Sequence, residues 1–209
     1  MNALRGLYLV TPDWDDTERL LAVTESALRG GAVLVQYRHK LAGAALRREQ
    51  AAALLALCRR HGRPLVINDF VELCEALDAD GVHVGGTDAP LAEVRARLGA
   101  GKIVGASCYG DLGLARAARR DGASYVAFGG FYPSRVKQYA VTTPPAIIGQ
   151  ARAEIGLPLV VIGGMTPANA APLAAAGADL VAAISSVYLA EDAQAAARAF
   201  GALFGPQAG

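Results

Sequence analysis

The chain has 209 residues, a formal net charge of +1, 53% hydrophobic and 19% charged residues, and three cysteines. A nearly neutral chain offers no general field for nucleic acid or an acidic membrane surface, and no apolar run approaches the ~18–20 residues that cross a bilayer. Cys58, Cys74 and Cys108 are odd in number and form no CxxC, which argues against a disulfide framework or structural zinc and for a cytoplasmic setting.

The first ten residues do not follow a signal-peptide plan, because their apolar part is short and reads as a strand, Leu7–Val10, ending at Thr11-Pro12. Asp15-Asp16 can cap a helix carrying Leu20, Leu21, Thr24 and Leu28, which Gly30-Gly31 stops. Val33–Tyr37 is a second strand running into Arg38-His39-Lys40, and Ala44–His61 a second helix closed by Gly62. After Pro64, Leu65-Val66-Ile67 is an apolar run with no polar alternation, as in a strand buried on both faces. Asn68 and Asp69 must then lie where that strand leaves the core. Glu72–Leu77 is a short helix, Gly81–Val84 a fourth strand, and Leu91, Val94 and Leu98 stripe a fourth helix.

Ile103–Ala106 is the fifth strand and about Leu112–Arg120 its helix. Tyr125–Phe128 leads into a long connection, Gly129–Thr143, after which Thr143-Pro144 reads as an N-cap followed by proline at the first helical position. Leu159–Ile162 ends in Gly163-Gly164, and Thr166-Pro167 repeats the cap signal. Leu180–Ile184 ends in Ser185-Ser186, a last helix covers about Ala193–Leu203, and Gly205–Gly209 is expected to fray.

Eight strands alternating with eight helices imply parallel pairing through right-handed crossovers. Gly31-Ala32-Val33, Ala79-Asp80-Gly81-Val82, Gly122-Ala123-Ser124-Tyr125 and Gly177-Ala178-Asp179-Leu180 each enter an even-numbered strand. A repeat by quarters suits an α/β fold closed into a single (β/α)8 TIM barrel over residues 1–209 better than an open sheet. A doubly wound sheet would usually carry GxGxxG after its first strand, where this chain has Thr11-Pro12-Asp13.

In such a barrel the C-terminal strand ends form the active face. Gln36, Arg38 and Lys40 share one face of an extended segment, which suits phosphate or pyrophosphate, or else a solvated edge. Asp69 and Asp88 close neighbouring strands; they could hold one hard cation such as Mg²⁺, or simply cap the helix and turn that follow. Gly163-Gly164 and Ser185-Ser186 fall in the usual phosphate quarter, although glycine and serine are also ordinary turn residues. The 129–143 connection, with Ser134, Arg135 and Lys137, is long enough to be a lid or a plain surface loop. Cys108 has no evident activating base.

These pieces, in this order, resemble the thiamine-phosphate synthase family from about Leu7 to Tyr188. The likeness rests on Gln36-x-Arg38-x-Lys40, Ile67-Asn68-Asp69, Gly81-Val82-His83-Val84-Gly85 with Asp88, Gly105-x-Ser107, Phe131-Tyr132-Pro133-Ser134-x-x-Lys137, Ile162-Gly163-Gly164 and Ile184-Ser185-Ser186. It implies that Arg38, Lys40, Asn68, Ser107 and Lys137 hold a pyrimidine diphosphate, with Arg38, Lys40, Ser107 and Lys137 catalytic. Asp69 and Asp88 would hold its Mg²⁺, and Gln36 and His83 would border the pyrimidine. Ser134, Gly164, Ser185 and Ser186 would receive a thiazole phosphate. Gly86-Thr87, Phe70, Val136 and Cys108-Tyr109 depart from the family's common residues without removing a charged or metal-binding group. The related thiazole tautomerase and a non-catalytic phosphate-binding barrel are the alternatives. Both substrates are small molecules; no nucleic acid or membrane is expected, and homo-oligomerisation is left open.

Overall fold

A computed structural model describes residues 4–85, 90–133 and 143–205. Eight parallel strands close on themselves in sequence order: β1 (Gly6–Val10), β2 (Leu34–Tyr37), β3 (Leu65–Asn68), β4 (Gly81–Val84), β5 (Ile103–Tyr109), β6 (Tyr125–Gly129), β7 (Leu159–Ile162) and β8 (Leu180–Ala183). Around them run α1 (Thr17–Arg29), α2 (Ala44–Arg60), α3 (Val71–Leu77), α4 (Leu91–Leu98), α5 (Leu112–Arg120), α6 (Ile147–Glu154), α7 (Pro167–Ala175), the single turn α8 (Ser185–Tyr188) and α9 (Ala193–Gly201). The β8–β1 pairing, with Leu7 opposite Val181, closes the ring and leaves no free sheet edge.

Period two sorts the side chains. Outward residues such as Leu9, Val35, Ile67, Val126, Val161 and Val181 join the helices in one large apolar cluster. Inward residues, Tyr8, Val10, Leu34, Val66, Ile103, Tyr125, Val160 and Leu180, fill the barrel as a separate cluster. A strand with apolar residues on both faces is what a continuous apolar run specifies.

The quarter repeat has a structural cause at the N-terminal rim. Asp80 Oδ2 accepts from Leu65 N at 2.7 Å, Ser124 Oγ from Val104 N at 3.0 Å, and Asp179 Oδ2 from Leu159 N at 2.8 Å. In three quarters, then, the polar residue ahead of an even strand satisfies an amide near the start of the preceding odd strand, which would otherwise be an unpaired buried donor. Val33 stands at that position in the first quarter.

Three sequence expectations change. The helix after residue 143 begins at Ile147, not behind a Thr143 cap; Ile147 N and Ile148 N bond Pro144 O and Pro145 O in successive tight turns, because Pro145 disfavours helical backbone at Pro144. Strand β5 continues to Tyr109 through a register shift between Ser107 and Tyr109. Strand β8 stops at Ala183, and Ser185 and Ser186 already belong to α8, an extra helix that makes nine among the described residues.

Candidate active site

The C-terminal mouth of the barrel opens into a cavity to which β1, β2 and β8 contribute Tyr8, Gln36 and Ala182, and the β3, β4 and β5 ends Asn68, His83 and Ser107. Lys40, Asp69, Gly129, Gly130, Gly163, Gly164, Ser185 and Ser186 complete the rim. Of the residues singled out from sequence, Gln36, Lys40, Asn68, Asp69, His83, Ser107, Gly164, Ser185 and Ser186 therefore converge. Asp88, Ser134 and Lys137 lie outside the described residues, as do Gly86, Thr87, Val136 and residues 206–209.

Asp69 follows β3 with φ of +64°, a left-handed conformation that aspartate tolerates better than most residues. Its backbone N–H donates to His83 O at 2.9 Å. The carboxylate accepts from Asn68 Nδ2 at 2.6 Å and lies 3.5 Å from Lys40 Nζ. It is not the cap of α3: Phe70 is the N-cap residue, with no side-chain cap bond. A hard oxygen donor held at the mouth beside a cation suits Mg²⁺, which binds through one or two carboxylates and completes its shell with water and phosphate oxygens. Among the described residues no group of three or more His, Cys, Asp or Glu forms an all-protein cage.

Arg38 is not among the cavity-lining residues. Its Nη1 donates to Asp13 Oδ1 and Oδ2 at 3.1 and 2.9 Å, while its buried Nε has no hydrogen-bond partner. Asp13 also accepts from Lys40 N at 2.8 Å, and Thr11 Oγ1 exchanges bonds with the Arg38 N–H and C=O. The loop after β1 thus clamps the loop that carries both cations. Tyr37 and His39 point the other way, as period two requires: Tyr37 Oη donates to Gln50 Oε1, and His39 Nε2 pairs with Asp15.

Across the mouth, Gly163 and Gly164 have φ of +111° and +60°. A Cβ on Gly164 would lie 2.3 Å from Pro133 O, and one on Gly163 2.5 Å from Gly130 Cα. The pair is glycine because the 129–133 segment packs directly on it. Asn169 secures this corner: its Nδ2 donates to Gly164 O, its Oδ1 accepts from Thr166 N, and its own C=O accepts from Tyr132 Oη. Ser185 and Ser186 open α8, whose first backbone bonds run from Val187 and Tyr188 to Ile184 O. The first amides of a helix have no partner within it, so those of Ser185 and Ser186 are available to an anion.

Two residues in the barrel's heart escaped the sequence reading. Tyr8 and Tyr125 hydrogen bond each other at 2.6 Å; Gln36 Nε2 donates to Tyr8 Oη at 2.5 Å. Tyr125 Oη meets His83 Nδ1 at 2.8 Å, and His83 Nε2 meets Ser107 Oγ at 2.9 Å. The signal was present: each tyrosine occupies an inward position of an otherwise apolar strand, where its hydroxyl must find a partner. Cys108, for which the sequence shows no activating base, is buried, and desolvation pushes its thiol up to about 12.

A closed parallel barrel with a cation, a carboxylate and paired hydroxyls at its C-terminal mouth defines a (β/α)8 enzyme for phosphorylated ligands. The particular family follows from comparison. The model of thiamine monophosphate synthase matches residues 7–187. A protein of Janthinobacterium sp. (strain Marseille) named thiamine-phosphate synthase is 65% identical over 201 residues, covering 96% of this chain and 97% of that one. One of the same name from Thiobacillus denitrificans is 51% identical, covering 95% and 94%. The solved thiamine phosphate pyrophosphorylase from Pyrococcus furiosus superposes with a TM-score of 0.84 at 29% identity, covering 95% of both chains. This chain belongs to the thiamine monophosphate synthase family.

Proposed function

We propose that the chain joins hydroxymethylpyrimidine diphosphate to hydroxyethylthiazole phosphate, or to its carboxylated form with loss of CO2, giving thiamine monophosphate and pyrophosphate, with Mg²⁺ held by Asp69 and Asp88. Family membership makes it a transferase of thiamine biosynthesis; the proposal concerns how its residues divide the work. The observation that carries it is Asp69, turned out of a capping role and set beside Asn68 and Lys40 on the opposite side of the mouth from Gly164, Ser185 and Ser186.

On the Asp69 side, Lys40, Asn68 and Ser107 bind the diphosphate. Arg38 joins them through a guanidinium whose buried, unpaired Nε an anion oxygen would satisfy. Gln36 and His83 border the pyrimidine. On the far side, Gly164, Ser185 and Ser186, with Ser134, take the thiazole phosphate, and Lys137 reaches the leaving group from the 129–143 connection. The C–O bond to the diphosphate breaks first and its electron pair departs with pyrophosphate; the thiazole nitrogen then supplies the pair for the new C–N bond. No proton has to be removed, so the residues' task is to offset departing charge and exclude water. Bound Mg²⁺ supplies part of that charge compensation.

The purified protein should release pyrophosphate only with both substrates present, stop in EDTA and resume with Mg²⁺. Release without the thiazole, or equal turnover in chelator, would overturn the assignment. Metal-independent isomerisation of the thiazole alone would favour the tautomerase alternative.

A further inference from the structure

We propose that Tyr8 and Tyr125 are positioning residues that give a buried hydrogen-bond chain one direction, so that Ser107 presents its hydroxyl proton, and Gln36 its carbonyl oxygen, to the cavity. This rests on the synthase reading for the ligand alone; the chain itself is a property of the fold. It runs Gln36–Tyr8–Tyr125–His83–Ser107 through β2, β1, β6, β4 and β5, with each link between 2.5 and 2.9 Å.

Such a chain has two self-consistent directions, because each hydroxyl in it gives one proton and accepts another. In the forward direction the Gln36 amide donates to Tyr8, Tyr8 to Tyr125, Tyr125 to His83 Nδ1, and His83 Nε2–H to Ser107. The serine proton is then left for the cavity. In reverse, Ser107 spends its proton on His83 Nε2 and turns a lone pair outward. Both phenols keep their protons at neutral pH, since complete burial raises them above the ordinary 10.0, so neither direction is broken by ionisation.

The two ends decide between them. Ser107 shares the cavity wall with Asn68 and Lys40, where an anion would meet a repelling lone pair if the chain ran in reverse. At the other end, Gln36 uses its Nε2 on Tyr8, and among the described residues its Oε1 has no bond. That leaves an acceptor lining the cavity, suited to an exocyclic amine on a flat heterocycle. One direction therefore selects a ligand with a donor at one end and anionic oxygens at the other; the reverse would suit neither. Because the bonded groups polarise one another, the two ends are linked.

One consequence of the proposed reaction and one observation fit an ordering role. The proposed reaction needs no base, so a histidine here has no proton to remove. Gly105 makes room for the relay, since a Cβ there would fall 2.1 Å from Tyr125 Cζ and 2.2 Å from its Oη.

The deciding measurement is the ¹⁵N spectrum of the His83 ring in the ligand-free wild type at neutral pH. The proposal requires the Nε2–H form with Nδ1 unprotonated; the Nδ1–H form would overturn it. Kinetics give a second test. Tyr125→Phe should lower kcat about tenfold, with the KM for the pyrimidine diphosphate moving less than about twofold, and Tyr8→Phe should do less. In a Ser107→Ala background the Tyr125→Phe effect on kcat should shrink well below tenfold, since only the route through Tyr8 to Gln36 then remains. Additive losses would mean a merely structural phenol and would sink the idea. If the wild type shows no synthase activity, the functional reading fails, whereas the ring spectrum still tests the relay. It does so equally if a variant does not fold.

Discussion

Asp69 combines two features that a helix cap would not need: backbone φ of +64° and a carboxylate directed to Asn68 Nδ2 and Lys40 Nζ. A left-handed aspartate costs conformational energy that its surroundings must offset. Here its own N–H on His83 O and the Asn68 contact do so. Asparagine adopts the same backbone at least as readily and keeps an acceptor oxygen. Asp69→Asn should therefore cost less than about 1 kcal/mol of stability, given that the Lys40 partner is half-exposed. Pyrophosphate release should fall by about a hundredfold or more, because the substitution removes charge where the leaving group develops it. Urea melts and turnover measured on the same preparation check both halves. An active Asp69→Asn variant would return this carboxylate to a structural role.

At the scale of elements, the sequence exposed what depends on runs and punctuation. Most strands are apolar runs whose end is marked by a polar residue or glycine, and β2, β4 and β5 break the run only at the inward Gln36, His83 and Ser107, so all eight were legible, as was most of the mouth. The first helical residue of α6 was not, because Thr143-Pro144 imitates a cap and only the following Pro145 forbids it. Helix α8, with four residues, is too short to show a period. The relay was illegible for a different reason: it joins five strands, and period two within one strand does not say which inward residues meet. Gly163-Gly164 shows both levels at once. Sequence marked it as a place for close anion approach, whereas the structure adds that Gly164 is packed against Pro133 and Tyr132. Gly164→Ala should accordingly weaken thiazole-phosphate binding at least tenfold while the pyrimidine diphosphate still binds. It should also cost on the order of 1–3 kcal/mol, since the new Cβ meets backbone in a left-handed conformation. Calorimetric titration with each ligand separates the two sides; loss of diphosphate binding alone would reverse their assignment.

For the molecule as a whole, a closed barrel surrounded by helices places unusual acids where water does not reach. The thiols of Cys58, Cys74 and Cys108 are buried. Desolvation lifts Cys58 and Cys108 from 9.0 to about 12 and Cys74 to about 11. The phenols of Tyr8, Tyr37, Tyr125 and Tyr188 are raised above 10.0, again mainly by burial. These groups stay neutral in the folded chain but ionise near their ordinary values once it unfolds. Above about pH 9 the unfolded state therefore binds fewer protons than the folded one, and stability must fall as pH rises. The contribution is complete below the unfolded thiol value and is lost progressively up to the folded values. Each thiol that ionises only on unfolding removes at most about 1.4 kcal/mol per pH unit across that window. Urea midpoints should then decline from about pH 9 onward, with the phenols steepening the fall above about pH 10. Replacing Cys58, Cys74 and Cys108 together by alanine should lower the midpoint at pH 7, through lost packing, yet flatten its fall between about pH 9 and 10. An identical alkaline slope in the triple variant would show that the thiols ionise equally in both states, and would contradict their burial.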